Sequence, residues 1–246
     1  MTWHGAIWLL SLTIPFILIQ GWLHREIIQI LLLITHRTGL SISIFSLIFL
    51  PGVFLHELSH LLVAWLLRVK TGRISLLPKP QANGRIRLGY VEIESTDFLR
   101  DSLIGAAPLL SGTLVIAFIG LHFLDLGSLG EFIKQKSWQP LLHALISLPS
   151  INNFWFWFYL ILSISGSMLP SESDRRSWFT LIIFFSILVG LILLAGGIPW
   201  MVSHLAPLIN PVLLSLALIF AVSLLVHLCL WIPMYLLRRL LSHSSC

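Results

Sequence analysis

Apolar residues fill this chain in blocks of about twenty, parted by short polar breaks, and that block length sets the first reading. Residues 3–23, 41–67, 103–123, 151–169, 177–200 and 211–237 each suit a helix that crosses a hydrocarbon core, which takes about 20 residues at roughly 1.5 Å each. Residues 27–34 are too few to cross and either extend the first helix or lie in the interface. The block 41–67 would be about 40 Å long as a helix, more than a ~30 Å core, so it must tilt or bend, and Pro51-Gly52 offers the bend. The pattern predicts an all-α polytopic membrane protein of about six transmembrane helices in one domain, 1–246.

One stretch breaks the block pattern. From residue 68 to 101 charges, Gly and Pro enter and the apolar spacing turns to two, which predicts a short membrane-associated β-hairpin. Its strands would be residues 73–77 and 85–93, joined through an Asn83-Gly84 turn, since both residues tolerate positive φ. Ile86, Leu88 and Tyr90 alternate with Arg85, Arg87 and Gly89; the apolar positions then slip to Val91 and Ile93, which predicts a bulge at Gly89. Further on, the small residues around Ala106-Ala107-Pro108 predict close helix contact, and residues 140–148 a short interfacial helix.

Composition agrees: of 246 residues, 57% are hydrophobic and 10% charged, with mean hydropathy +0.94, far from a soluble domain. The net charge of +5 sits at the ends of apolar blocks, so it marks topology and not nucleic-acid binding. With six crossings, seven Lys/Arg of residues 68–100 share a side with Arg175-Arg176 and Arg238-Arg239, against Arg25, Arg37, Lys134 and Lys136 opposite. The positive-inside rule then puts both termini and the loop holding Asp174 in the cytoplasm, with the cell membrane as the expected location. The first block is expected to be a retained span, and Cys229 and Cys246 support neither a disulfide framework nor a Cys-based metal site.

Chemistry concentrates at His56-Glu57-Leu58-Ser59-His60, inside an apolar block where an ionisable residue costs a few kcal/mol. Two histidines four apart share a helix face, and a glutamate beside the first stands close enough to act on a water between them, the HExxH arrangement of zinc hydrolases. A catalytic zinc site takes three protein ligands and keeps one position open. The remaining histidines are scattered singly, whereas Asp174 and Glu172 return to the side of His60 after two crossings. Pro170 breaks the fourth helix just before them, so either carboxylate is a candidate third ligand.

These residues resemble the site-2 protease family of intramembrane zinc metalloproteases. The likeness lies in Phe54-Leu55 with the HExxH, in the basic hairpin after it, and in Ala107-Pro108-Leu109-Leu110-Ser111, similar to a Gly-Pro-x-x-Asn motif. It lies also in Ser167-Met168-Leu169-Pro170 leading to Asp174, similar to the Asn-x-x-Pro stretch before the family's aspartate ligand, although Arg175 stands where Gly is usual. It covers about residues 42–180 and leaves the outer helices, 1–34 and 181–240, unassigned. The resemblance implies one Zn²⁺ per chain held by His56, His60 and Asp174, with Glu57 as general base. The implied substrate is a transmembrane protein or peptide, unwound at the cut bond and held along the hairpin segment that opens at Arg85 and closes at Ile93, with Ser111 near the cleft. The alternative expectation is an inactive metal- or client-binding membrane protein of the same fold.

Overall fold

The computed structural model describes residues 4–76, 79–80, 86–87, 89–94, 96–128, 137–176 and 178–243. Its helices are α1 (His4–Thr35), α2 (Thr38–Ile48), α3 (Leu50–Leu66), α4 (Phe98–Phe123), α5 (Trp138–Ser147), α6 (Phe154–Ser167), α7 (Trp178–Leu194) and α8 (Ala206–His243). Between α3 and α4 lie β1 (Thr71–Ser75), β2 (Lys79–Pro80), β3 (Ile86–Arg87) and β4 (Tyr90–Ile93). Residues 27–34 extend α1. Among the described residues three helical stretches are long and apolar enough to cross a membrane, and five if each of two bent pairs counts as one span, consistent with the expected all-α membrane protein, with three to five candidate spans shown where six were expected.

Two expected spans are broken. α2 meets α3 at 71°, with the break at Phe49 and not within Pro51-Gly52. The physical reason is that Pro51 sits in the first turn of α3, where its missing N–H has no helical partner to lose. α5 meets α6 at 98°, and α6 alone has 14 residues, about 21 Å, short of a crossing. The boundary expected between residues 200 and 211 also moves. Gly196, at φ +73°, ends the chain's run beyond α7, and helix resumes at Ile198 and continues through Pro211 into α8.

α1 and α8 pack in the same direction. The Gly5 amide donates to Asn210 Oδ1 at 2.7 Å, Trp22 and Trp231 lie 5.7 Å apart, and Arg238 pairs with Glu26. Side by side and parallel, they set His4 and His243 at opposite ends of the pair, with Glu26 at the Arg238 end.

β1 pairs antiparallel with β4 and β2 with β3, one nested inside the other. The irregularity falls between Thr71 and Ile74 of β1, not at Gly89. Gly89 instead marks the step from the inner pair to β4. The Asn83-Gly84 turn, Arg85, Lys134 and Lys136 lie outside the described residues.

The main apolar core gathers Phe16 and Leu23 of α1, Phe45 of α2, Phe49, Ile116 of α4, Ile161 of α6 and Phe220 of α8. Within it α3 and α6 run in register. Tyr159 Oη donates to the Ile48 carbonyl at 2.9 Å, and the Gly52 amide donates to Ser163 Oγ at 2.9 Å. A Cβ on Gly52 would run into the Ser163 carbonyl, so only glycine lets the two backbones meet.

Candidate metal centre

Three helices deliver the site, and two carbonyls left without their usual helical donor explain how. In α4, Pro108 lacks the N–H that would bond the Ile104 carbonyl four residues back. His60 takes that carbonyl through Nδ1 at 2.9 Å. At the end of α6 the Ser167 carbonyl would ordinarily accept from the Ser171 amide, but that amide donates to Asp174 Oδ2 at 2.7 Å. His56 takes the Ser167 carbonyl through Nδ1 at 2.6 Å. Each carbonyl accepts, so each imidazole holds its proton on Nδ1 and turns Nε2 inward.

The inward atoms converge. His56 Nε2 and His60 Nε2 are 3.2 Å apart, and Asp174 offers Oδ2 at 3.6 Å from the first and Oδ1 at 3.5 Å from the second. Among the described residues these three side chains form the group able to hold a metal ion. Four-coordinate zinc with arms of about 2.0 Å has ligand atoms about 3.3 Å apart, so the donor set and spacing fit that ion. Two imidazole lone pairs and a carboxylate packed this closely repel one another unless a cation, or protons in its place, lies between them. Burial pushes the Asp174 carboxyl up, but with protons on the inward nitrogens in place of a cation, hydrogen bonds with the His56, His60 and Ser171 side chains outweigh it and hold the group well below the usual carboxylate range.

The loop carrying Asp174 reaches the histidines because α4 yields to it. Gly105 follows Ile104, and a Cβ there would run into the Asp174 carbonyl oxygen. Two turns along, Gly112 lies against Met168, the residue after α6. Thus the small-residue stretch of α4 seats the Asp174 loop as well as a helix.

Glu57 is buried, 7% exposed, and lies within electrostatic reach of His60. The Gly89 backbone passes so close that a Cβ there would come to 3.0 Å from Glu57 Oε1 and from Val53. Strand β4 therefore starts beside this carboxylate. Glu172 is exposed in the turn and does not join the cluster. Ser111 donates back to the Pro108 carbonyl at 3.2 Å within its own helix.

The sequence reading named His56, Glu57, His60 and Asp174 but missed the backbone that orients them. For His60 the signal was present as spacing, since a proline four residues after a carbonyl inside a helix leaves that carbonyl for another donor; no spacing marked the Ser167 carbonyl, whose usual donor is diverted to Asp174. No model of a known protein family matches the chain, and no curated protein or solved structure is found similar to it.

Proposed function

We propose that the protein is an intramembrane zinc metalloprotease, of the kind its motifs resemble, with His56, His60 and Asp174 as zinc ligands and Glu57 as general base. The observation that carries this reading is the convergence of two Nδ1-tethered imidazoles and a carboxylate beside a buried glutamate, inside an apolar helix bundle. When bound, zinc supplies Lewis acidity toward a water and the scissile carbonyl.

The chain's residues do the rest. Glu57 accepts the proton of the attacking water and returns it to the leaving amine, a transfer worth about 10²–10⁴-fold in rate. The carbonyls of Ile104 and Ser167 hold both imidazoles in one tautomer through the cycle. Strand β4 starts against Glu57. An extended substrate segment added along β4 would therefore carry its backbone past the base. The substrate is a membrane protein whose transmembrane segment unwinds near the cut bond, because a helix has its carbonyls already bonded. The basic residues around the sheet and Arg175-Arg176 support a cytoplasmic orientation for the Asp174 loop.

The test is cleavage of transmembrane peptides by the purified protein in detergent, read by mass spectrometry, beside Glu57→Gln. Loss of cleavage with zinc content unchanged is expected. Full cleavage by Glu57→Gln would sink the mechanism, and metal binding without cleavage by the unmodified protein would favour the inactive binder.

A further inference from the structure

We propose that Gln20 of the outer helix α1 is a positioning residue for the metal centre, acting on His56 through the last turn of α6. Pro170 withholds the amide that would otherwise bond the Gly166 carbonyl four residues before it. Gln20, 9% exposed and deep in the protein, supplies the missing donor: its Nε2 bonds the Gly166 carbonyl at 2.6 Å. The next carbonyl along the chain, Ser167, is the one that takes His56 Nδ1. Two consecutive carbonyls freed at the end of α6 are thus claimed by two side chains, one from α1 and one from the metal centre.

The geometry makes the two claims interdependent. Both carbonyls belong to the terminal turn of a helix, where the ladder ends with the Met168 amide on the Ile164 carbonyl. With Gln20 removed, the Gly166 carbonyl is buried without a donor and that turn must rotate to find one. The rotation carries the Ser167 carbonyl with it and turns the His56 ring away from His60 and Asp174. Gly166 is itself pinned from the other side, since a Cβ there would come to 2.8 Å from the Phe49 ring and 3.2 Å from His24 Nε2, so the turn has little room to relax smoothly. The outer helix is in this way part of the site's support, although it contributes no ligand.

The inference rests on the metal-centre reading, and the experiment separates the two. Full-length protein in detergent is titrated with Co²⁺ alone, following affinity and the visible absorption of the bound ion, with the melting midpoint of the metal-free protein recorded alongside. Gln20→Met keeps length and removes the donor. It should weaken Co²⁺ binding by about tenfold and shift the absorption, because supporting hydrogen bonds to metal-ligating histidines carry that order of effect. Gln20→Met combined with Pro170→Ala returns a backbone amide for the Gly166 carbonyl and should recover most of the affinity, which a general loss of packing at position 20 would not allow. Co²⁺ binding and absorption in Gln20→Met identical to the unmodified protein overturns the inference and leaves the metal centre standing, as does a weakened Gln20→Met that Pro170→Ala leaves unimproved. Absence of Co²⁺ binding by the unmodified protein overturns the metal-centre reading and this inference with it.

Discussion

Helices α6 and α7 are consecutive and both apolar, yet they are used in opposite ways. α6 buries an unbroken run, Ile161, Leu162, Ser163, Ile164, Ser165 and Gly166, against α1, α3 and α4. α7 buries no residue, and its polar tie to the bundle is the Trp178 indole donating to the Ser102 carbonyl at 3.3 Å. α7 is the more uniformly hydrophobic of the two. In a bilayer the lipid is as apolar as leucine, so hydrophobicity alone marks a lipid-facing surface, and small and hydroxyl side chains mark the packed one. The site follows the serines and glycines.

The strongest way to break this comparison is to fill the closest contact of α6. Gly52→Val should cost about 4 kcal/mol or more and abolish cooperative melting in detergent, since the Ser163 carbonyl and Ser167 hydroxyl occupy the space its side chain needs. A near-native melting midpoint would mean that α3 and α6 do not meet as described. Next in size is the ligand set. Asp174→Ala should weaken zinc binding by more than about 100-fold, beyond what loss of one supporting hydrogen bond produces, while Glu172→Ala leaves it unchanged; equilibrium dialysis with metal analysis reads both, and the reverse pattern would move the third ligand. Smaller again, Pro108→Ala gives α4 an amide that competes with His60 for the Ile104 carbonyl. A loss of metal affinity of about tenfold is expected, with secondary structure intact by circular dichroism. The smallest effect belongs to α7: Leu191→Ala should change stability by no more than about 0.5 kcal/mol, and a loss several times larger would show that α7 is packed after all.

The same contrast explains what could be read in advance. His56 and His60 were legible because helix periodicity alone puts them on one face. Asp174 was legible only beside Glu172, because a loop has no period, and the choice between them depends on Gly105 letting the Asp174 backbone onto α4. The crossing count failed where hydropathy is blind to direction. Residues 151–169 are long and apolar enough to read as a span, but the helix begins only at Phe154 and ends at Ser167 to meet His56. Likewise Gly89 stood out by its phase slip, and the slip was assigned to a bulge, whereas its lack of a side chain serves the contact with Glu57.

The carbonyl tethers of His56 and His60 also decide the order in which the centre is put together. Both rings are tied through Nδ1 to backbone carbonyls of α6 and α4, so a metal bound there would meet donors already aimed by the fold. Folding and metal uptake would then be separate events, unlike in small zinc domains, whose chains collapse only around the ion. A chelator should strip such a protein of its ion and leave the helix bundle standing, ready to be reloaded.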